Sequence, residues 1–200
     1  MALVPVALLA ELDNYFIETD YCIGTQGVVD SVKLYSNVPL QEIENITLDY
    51  QSKSSITLTK ILCKFFWKLN VKFEEAKPGF EKNISEKNAN VVIGDRTFEL
   101  NGKFGYEYDL AEEWKKFTGL PFVFAAWVSI EKINPDFSRA FNEVLKYGIE
   151  NCGKAIKDSA HVLTISPDKA LHYLTKRIDY KLDEEKLKAM NLFLDYIRQL

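Results

Sequence analysis

Cysteine and histidine are scarce in this 200-residue chain. The three cysteines, Cys22, Cys63 and Cys152, are odd in number, far apart and without any CxxC spacing. Neither a zinc ribbon nor a disulfide scaffold is supported, and reduced thiols are expected. Two histidines, His161 and His172, make no metal-ligand spacing, so no metal site is expected. Long apolar runs are missing as well: none reaches the roughly 18 residues of a membrane span. The opening MALVPVALLAEL has no basic lead-in, and Glu11 and Asp13 fall within or just after it, unlike a secretory signal. A cytoplasmic protein with no membrane partner is expected. Basic surplus is also lacking. Lys and Arg total 25 against 29 Asp and Glu, a net charge of −4, which argues against a nucleic-acid partner. No GxSxG, Walker A, HExxH or GxGxxG signature occurs.

What is present is ordinary globular material: 47% apolar and 27% charged residues. Aromatics, at 13%, suit both a filled core and a pocket for an apolar ring. Residues 2–6 read as a short buried strand and 7–12 as a helix start or turn. Residues 21–23 are strand-like, and Gly24-Thr25-Gln26-Gly27 reads as a turn. Residues 28–36 alternate with period two, as a strand does. A strand at 46–48 leads through the polar segment 49–55 into a helix whose apolar spacing runs from Ile56 to about Leu69, the order of an α/β unit. Strands follow at 71–74 and 89–93, a Gly-containing possible hairpin at 98–108, a short helix at 110–117 and a bulky buried strand at 122–129. Helices at 136–152, 159–174 and 183–200 complete the chain.

Four places can carry chemistry. Ser52, Lys53, Ser54 and Ser55 stand where a strand hands over to a helix. Free backbone N–H groups and the helix dipole attract anions there, although a plain helix cap accounts for the same residues. Gly24 and Thr25 open a glycine-bracketed turn that permits close ligand approach or simply a reversal. Asp95 ends an apolar strand, where ligands of open α/β sheets gather. Thr118 precedes the bulky 122–129 strand. The histidines and the three tryptophans read as structural.

Longer strings carry more. Tyr21-Cys22-Ile23-Gly24, Gly27 and Ser31-Val32 precede Leu48-Asp49-Tyr50-Gln51-Ser52-Lys53-Ser54-Ser55. Then come Val92-Ile93-Gly94-Asp95-Arg96, Tyr108-Asp109-Leu110, Glu113-Trp114 and the unbroken run from Thr118 to Trp127. This ordered set resembles the chorismate dehydratases of the futalosine route to menaquinone, from Ala2 to the C-terminus. One difference is Ser52-Lys53-Ser54-Ser55 where that family often has Ser-Arg-Thr-Ser; charge and hydroxyl are kept.

The resemblance implies an α/β, two-lobed fold of the type 2 periplasmic-binding-protein kind. Lobe one would hold residues 1–27 and 121–200, and lobe two residues 28–120. It further implies loss of water from chorismate to give 3-[(1-carboxyvinyl)oxy]benzoate, without a cofactor, by a monomer or homodimer. Ser54 and Ser55, with Ser52 beside them, would anchor carboxylates. Gly24 and Thr25 would form the cleft rim, and Asp95 and Thr118 would lie further out. The family also has a preceding segment with a Tyr-Leu-Asn type motif whose Asn is implicated in catalysis. The present chain starts at what reads as a later strand, so lobe one is expected to be incomplete, and no base is assigned. The alternatives are 1,4-dihydroxy-6-naphthoate synthase of the same route and a non-catalytic binder of small carboxylates.

Overall fold

The computed structural model describes residues 1–82 and 84–200. Strand β1 (Ala2–Pro5) runs into a 3-10 turn, Val6–Glu11, and then β2 (Phe16–Thr25). Next come β3 (Val32–Ser36), β4 (Asn45–Leu48) and helix α1 (Lys53–Ile61), which continues as a π-type turn, Leu62–Trp67. β5 (Lys72–Glu75), β6 (Asn88–Ile93), α2 (Arg96–Leu100), β7 (Tyr106–Asp109), α3 (Leu110–Thr118) and β8 (Phe122–Ser129) follow. The last part holds α4 (Pro135–Glu150), α5 (Cys152–Asp158), α6 (Pro167–His172), a π-type turn at Tyr173–Arg177, β9 (Asp179–Lys181) and α7 (Glu184–Ile197).

The strands make two sheets in a mixed α/β arrangement. One is antiparallel, in the order β1-β8-β2-β9; the other is mixed, in the order β5-β4-β6-β3-β7. In the second, β4 lies parallel to β5 and β6, while β3 runs antiparallel to β6 and β7. A single apolar cluster spans both sheets. Leu34, Ile46 and Val91 of the second sheet and Phe122 and Ala126 of the first are closed off by Leu58 and Ile61 of α1. Apolar area removed from water on both sides of α1 is what joins the two sheets. Among the described residues, no helix is long and apolar enough to cross a membrane.

Several elements differ from the sequence expectation, each for a local reason. α1 starts at Lys53 rather than at Ile56, because Ser52 is its N-cap and accepts the Ser55 N–H at 3.2 Å. A capping hydroxyl, not the first apolar residue, sets a helix start. The expected turn at 24–27 begins later, since Gly24 and Thr25 are still strand. Gly24 lies where β2 passes between β8 and β9, and a Cβ there would meet the Phe122 carbonyl oxygen at 2.9 Å. The expected 28–36 strand shortens to Val32–Ser36. The Val29 and Asp30 N–H groups are taken by the Asp109 carboxylate, and Asp30 adopts φ 66°. The expected hairpin at 98–108 is a short helix followed by β7. The helix expected at 136–152 is found as the continuous α4 (Pro135–Glu150), and the helix within 159–174 starts at Pro167 behind its N-cap Ser166, while α5 between them was not expected. β9 has three residues, too few to show an alternation.

Candidate ligand cavity between the two sheets

The N-terminus of α1 opens on a cavity of about 190 Å³ enclosed by both sheets. Ile23 of β2 and Phe124 of β8 line it from the first sheet, Val32 and Ile93 from the second. Val29 and Ile178 complete the apolar wall. The polar lining is Ser52, Ser55, Ser31, Gly94 and Tyr173. An apolar chamber with a few converging polar groups is the usual build of a small-ligand site.

Ser52 and Ser55 act as a pair. Their hydroxyl oxygens are 2.8 Å apart, and Ser52 also caps the helix. Both sit on the first turn of α1, where the backbone N–H groups have no helical partner. The dipole of the helix adds positive potential at this end. Ser54, between them, faces another way. Its hydroxyl donates to the Phe124 carbonyl at 2.9 Å and accepts the Ala7 N–H at 3.2 Å. It fastens α1 to the first sheet, and it is buried.

The remaining sequence candidates lie around this chamber in different roles. Gly24 adjoins the lining residue Ile23 and lets β2 pack closely on β8. Thr25 is buried, and its hydroxyl donates to the Gly27 and Val28 carbonyls, closing the chain reversal after β2. Asp95 follows the lining residue Gly94 and accepts the Thr164 hydroxyl at 3.0 Å. Thr118 is at the far end of α3. It donates to the Trp114 carbonyl at 2.9 Å and accepts the Leu120 N–H, outside the cavity lining. The structure therefore brings Ser52 and Ser55 together at one chamber, keeps Ser54, Gly24 and Asp95 next to lining residues, and places Thr25 and Thr118 outside the lining.

Two hydroxyl-bearing lining residues were not picked out by sequence reasoning. Ser31 and Tyr173, 142 positions apart, meet with their oxygens at 2.7 Å. Burial pushes the Tyr173 phenol above its usual range, with Asp95, Asp109 and Asp30 adding to the effect, so it is neutral near pH 7. Tyr173 stands in a helical stretch with no motif around it, and only long-range folding shows its position. Ser31 was at least within one of the strings shared with the dehydratases.

The loop that carries Ser31 is held by Asp109. That carboxylate accepts N–H bonds from Val29 and Asp30 on one side, and from Ala111 and Glu112 at the start of α3 on the other. Burial pushes its carboxyl up, while these bonds pull it down. Just past the end of β4, Asp49 is fully buried and accepts the Ile93 N–H and an Arg96 N–H. Arg96 is engaged there and lies over the rings of Tyr50 and Phe80, so it braces the wall instead of facing the chamber. Larger hollows exist. One of about 590 Å³ lies beside the start of α4, among Phe16, Glu18, Lys132 and Arg139, but none of the sequence candidates lines it. Among the described residues, no three His, Cys, Asp or Glu side chains gather as metal ligands would.

Known proteins resemble this chain in sequence and in fold. A chorismate dehydratase of Thermus thermophilus is 26% identical over 207 aligned positions, covering 94% of this chain and 75% of its own. Among solved structures, a protein of Archaeoglobus fulgidus superposes with a TM-score of 0.71 at 15% identity, covering 98% of this chain and 77% of that one. An ABC transporter protein of Parabacteroides distasonis follows at 0.60 and 16%, over 99% and 74% of the two chains. A putative nitrate transport protein of Thermoplasma volcanium gives 0.53 at 10%, over 99% and 78%. These likenesses show that the chain shares its fold with these proteins. The family model for menaquinone biosynthesis matches residues 1–199, and the chain belongs to that family.

Proposed function

We propose that the cavity binds chorismate and that the protein removes water from it, giving 3-[(1-carboxyvinyl)oxy]benzoate. The observation that carries this reading is the Ser52–Ser55 hydroxyl pair on the first turn of α1, opening into an apolar chamber between the sheets. A ring carboxylate suits that helix end, where hydroxyls and free N–H groups are all donors. The ring itself suits the walls of Ile23, Val32, Ile93 and Phe124.

Chemistry follows from holding and drying. Loss of a proton and of hydroxide from adjacent ring carbons makes the ring aromatic, so the product supplies the driving force. The protein fixes the carboxylate, keeps the ring in one orientation and excludes water while charge moves. The lining offers hydroxyls rather than carboxylates or imidazoles, and this reading gives the proton-accepting role to a carboxylate of the substrate. The two sheets are taken as the cores of two lobes, residues 1–27 with 121–200 and residues 28–120, with the ligand between them.

The test is turnover of chorismate, followed by the ultraviolet absorption of the aromatic product. Formation of 3-[(1-carboxyvinyl)oxy]benzoate is expected, with a rise in KM of about tenfold in Ser55→Ala, the loss of one hydrogen bond to a charged group. Saturable binding of chorismate without product would make the protein a carboxylate binder instead. An unchanged KM and kcat in Ser55→Ala would remove the helix end from the site.

A further inference from the structure

The hydroxyls of Ser31 and Tyr173 stand in the cavity wall as a second polar point, contributed by chain segments distinct from α1. Ser31 precedes β3, and Tyr173 opens the π-type turn Tyr173–Arg177. Each hydroxyl has one O–H to donate and lone pairs to accept with. Whichever of the two donates in the 2.7 Å bond, one O–H stays unengaged among the described residues. The pair thus offers a ligand one donor and a free lone pair side by side. A ring hydroxyl, itself both donor and acceptor, satisfies both. A second carboxylate would use only the donor.

The pair is held firmly. The Tyr173 ring meets Phe98 edge-on, with centroids 5.5 Å apart. Four residues along the same turn, Arg177 donates through Nε to the Asp30 carboxylate at 2.5 Å, next to Ser31. Asp109 fixes the backbone of Val29 and Asp30 from below. Such double support keeps the hydroxyls in place before a ligand arrives, which is what a discriminating contact needs.

We infer that Ser31 and Tyr173 select ligands bearing a hydroxyl on the ring, so that the cavity takes hydroxylated ring carboxylates in preference to bare ones. This deepens the carboxylate-binding reading and rests on it. A site that hydrogen-bonds a ligand hydroxyl disfavours the analogue lacking it, because its own polar groups are then left unpaired.

The experiment is calorimetric titration of the full chain with benzoate, 3-hydroxybenzoate and 4-hydroxybenzoate, repeated for Tyr173→Phe and Ser31→Ala. In the unaltered protein one hydroxybenzoate is expected to bind about tenfold more tightly than benzoate, the effect of one buried hydrogen bond. In both variants that ratio is expected to fall close to one, with hydroxybenzoate losing most of the affinity. Equal weakening of all three acids in both variants would make the pair a structural brace and overturn the inference alone. A ratio that survives both substitutions would do the same. No saturable binding of any of the three to the unaltered protein would instead overturn the carboxylate reading, and this inference with it.

Discussion

At the scale of single residues, three serines that look alike in the sequence do two different jobs. Ser52 and Ser55 line the chamber, while Ser54 bridges the Phe124 carbonyl and the Ala7 N–H. The strand–turn–helix order showed that an anion site was feasible here. It did not show which hydroxyl faces inward, because that depends on where the first sheet lies against α1. Ser54→Ala is therefore expected to lower stability by about 1–2 kcal/mol, leaving the buried Ala7 N–H without its partner. Ligand affinity should change much less than in Ser55→Ala, and urea denaturation alongside titration separates the two effects. The cysteines behave as their burial dictates. Burial pushes the thiols of Cys22 and Cys63 up to about 12, whereas Cys152 is partly exposed. A thiol reagent at pH 7.5 should modify one cysteine in the folded protein and three after denaturation. Rapid labelling of Cys22 or Cys63 would contradict the packing described.

Among the elements, those legible in the sequence share one property: their signal is local. β8 was expected at 122–129 and is found there, because a bulky apolar run follows the Gly119 and Pro121 stop. Gly119, at φ 76°, ends α3 in a left-handed turn that few other residues adopt cheaply. α3 falls within one residue of expectation, and α7 starts within one residue and ends three residues early. β9 was not legible, because its pairing partner β2 lies at the other end of the chain. The aromatic cluster where α3, β8 and α7 meet is the element-scale contact most open to test. Trp114 is fully buried, meets Phe122 and Phe193 edge-on, and donates its indole N–H to the Pro121 carbonyl at 2.9 Å. Trp114→Ala should cost about 3–5 kcal/mol, the range for emptying a large aromatic site. Trp114→Phe should cost clearly less, and thermal melts of the two variants check the order.

On the scale of the whole molecule, an ion pair with a buried lysine and part-exposed carboxylates ties the first sheet to the last helix. Lys186 of α7 has no exposed surface. It donates to Asp179 of β9 at 2.7 Å and to Asp183 at 3.4 Å, and Gln26, just past β2, joins at Asp179. Burial alone would raise the Asp179 carboxyl, but the bonds from Lys186 and Gln26 outweigh it and hold it below the usual carboxylate range. Its folded pKa is thus below its unfolded one. The stability it contributes is present above the unfolded value and is lost as pH falls through the folded value. Asp179→Asn should lower stability at pH 7 by about 1–2 kcal/mol, the loss of a hydrogen bond to a charged group, since Asp179 is part-exposed and Asp183 remains. It should also flatten part of the loss seen on acidification, measured by denaturant titration between pH 6 and pH 2.5.

The two-sheet α/β architecture and the helix that opens between the sheets were both within reach of sequence reasoning. The pairing of Ser31 with Tyr173 was not, because its halves lie 142 positions apart. The account as a whole stands on where the ligand sits. Amide chemical-shift mapping on titration with 3-[(1-carboxyvinyl)oxy]benzoate addresses that directly. The largest saturable shifts are expected at Ser52, Ser55, Gly94, Phe124 and Tyr173, around the chamber between the sheets. Shifts centred instead on Glu18, Lys132 and Arg139, beside the start of α4, would contradict it.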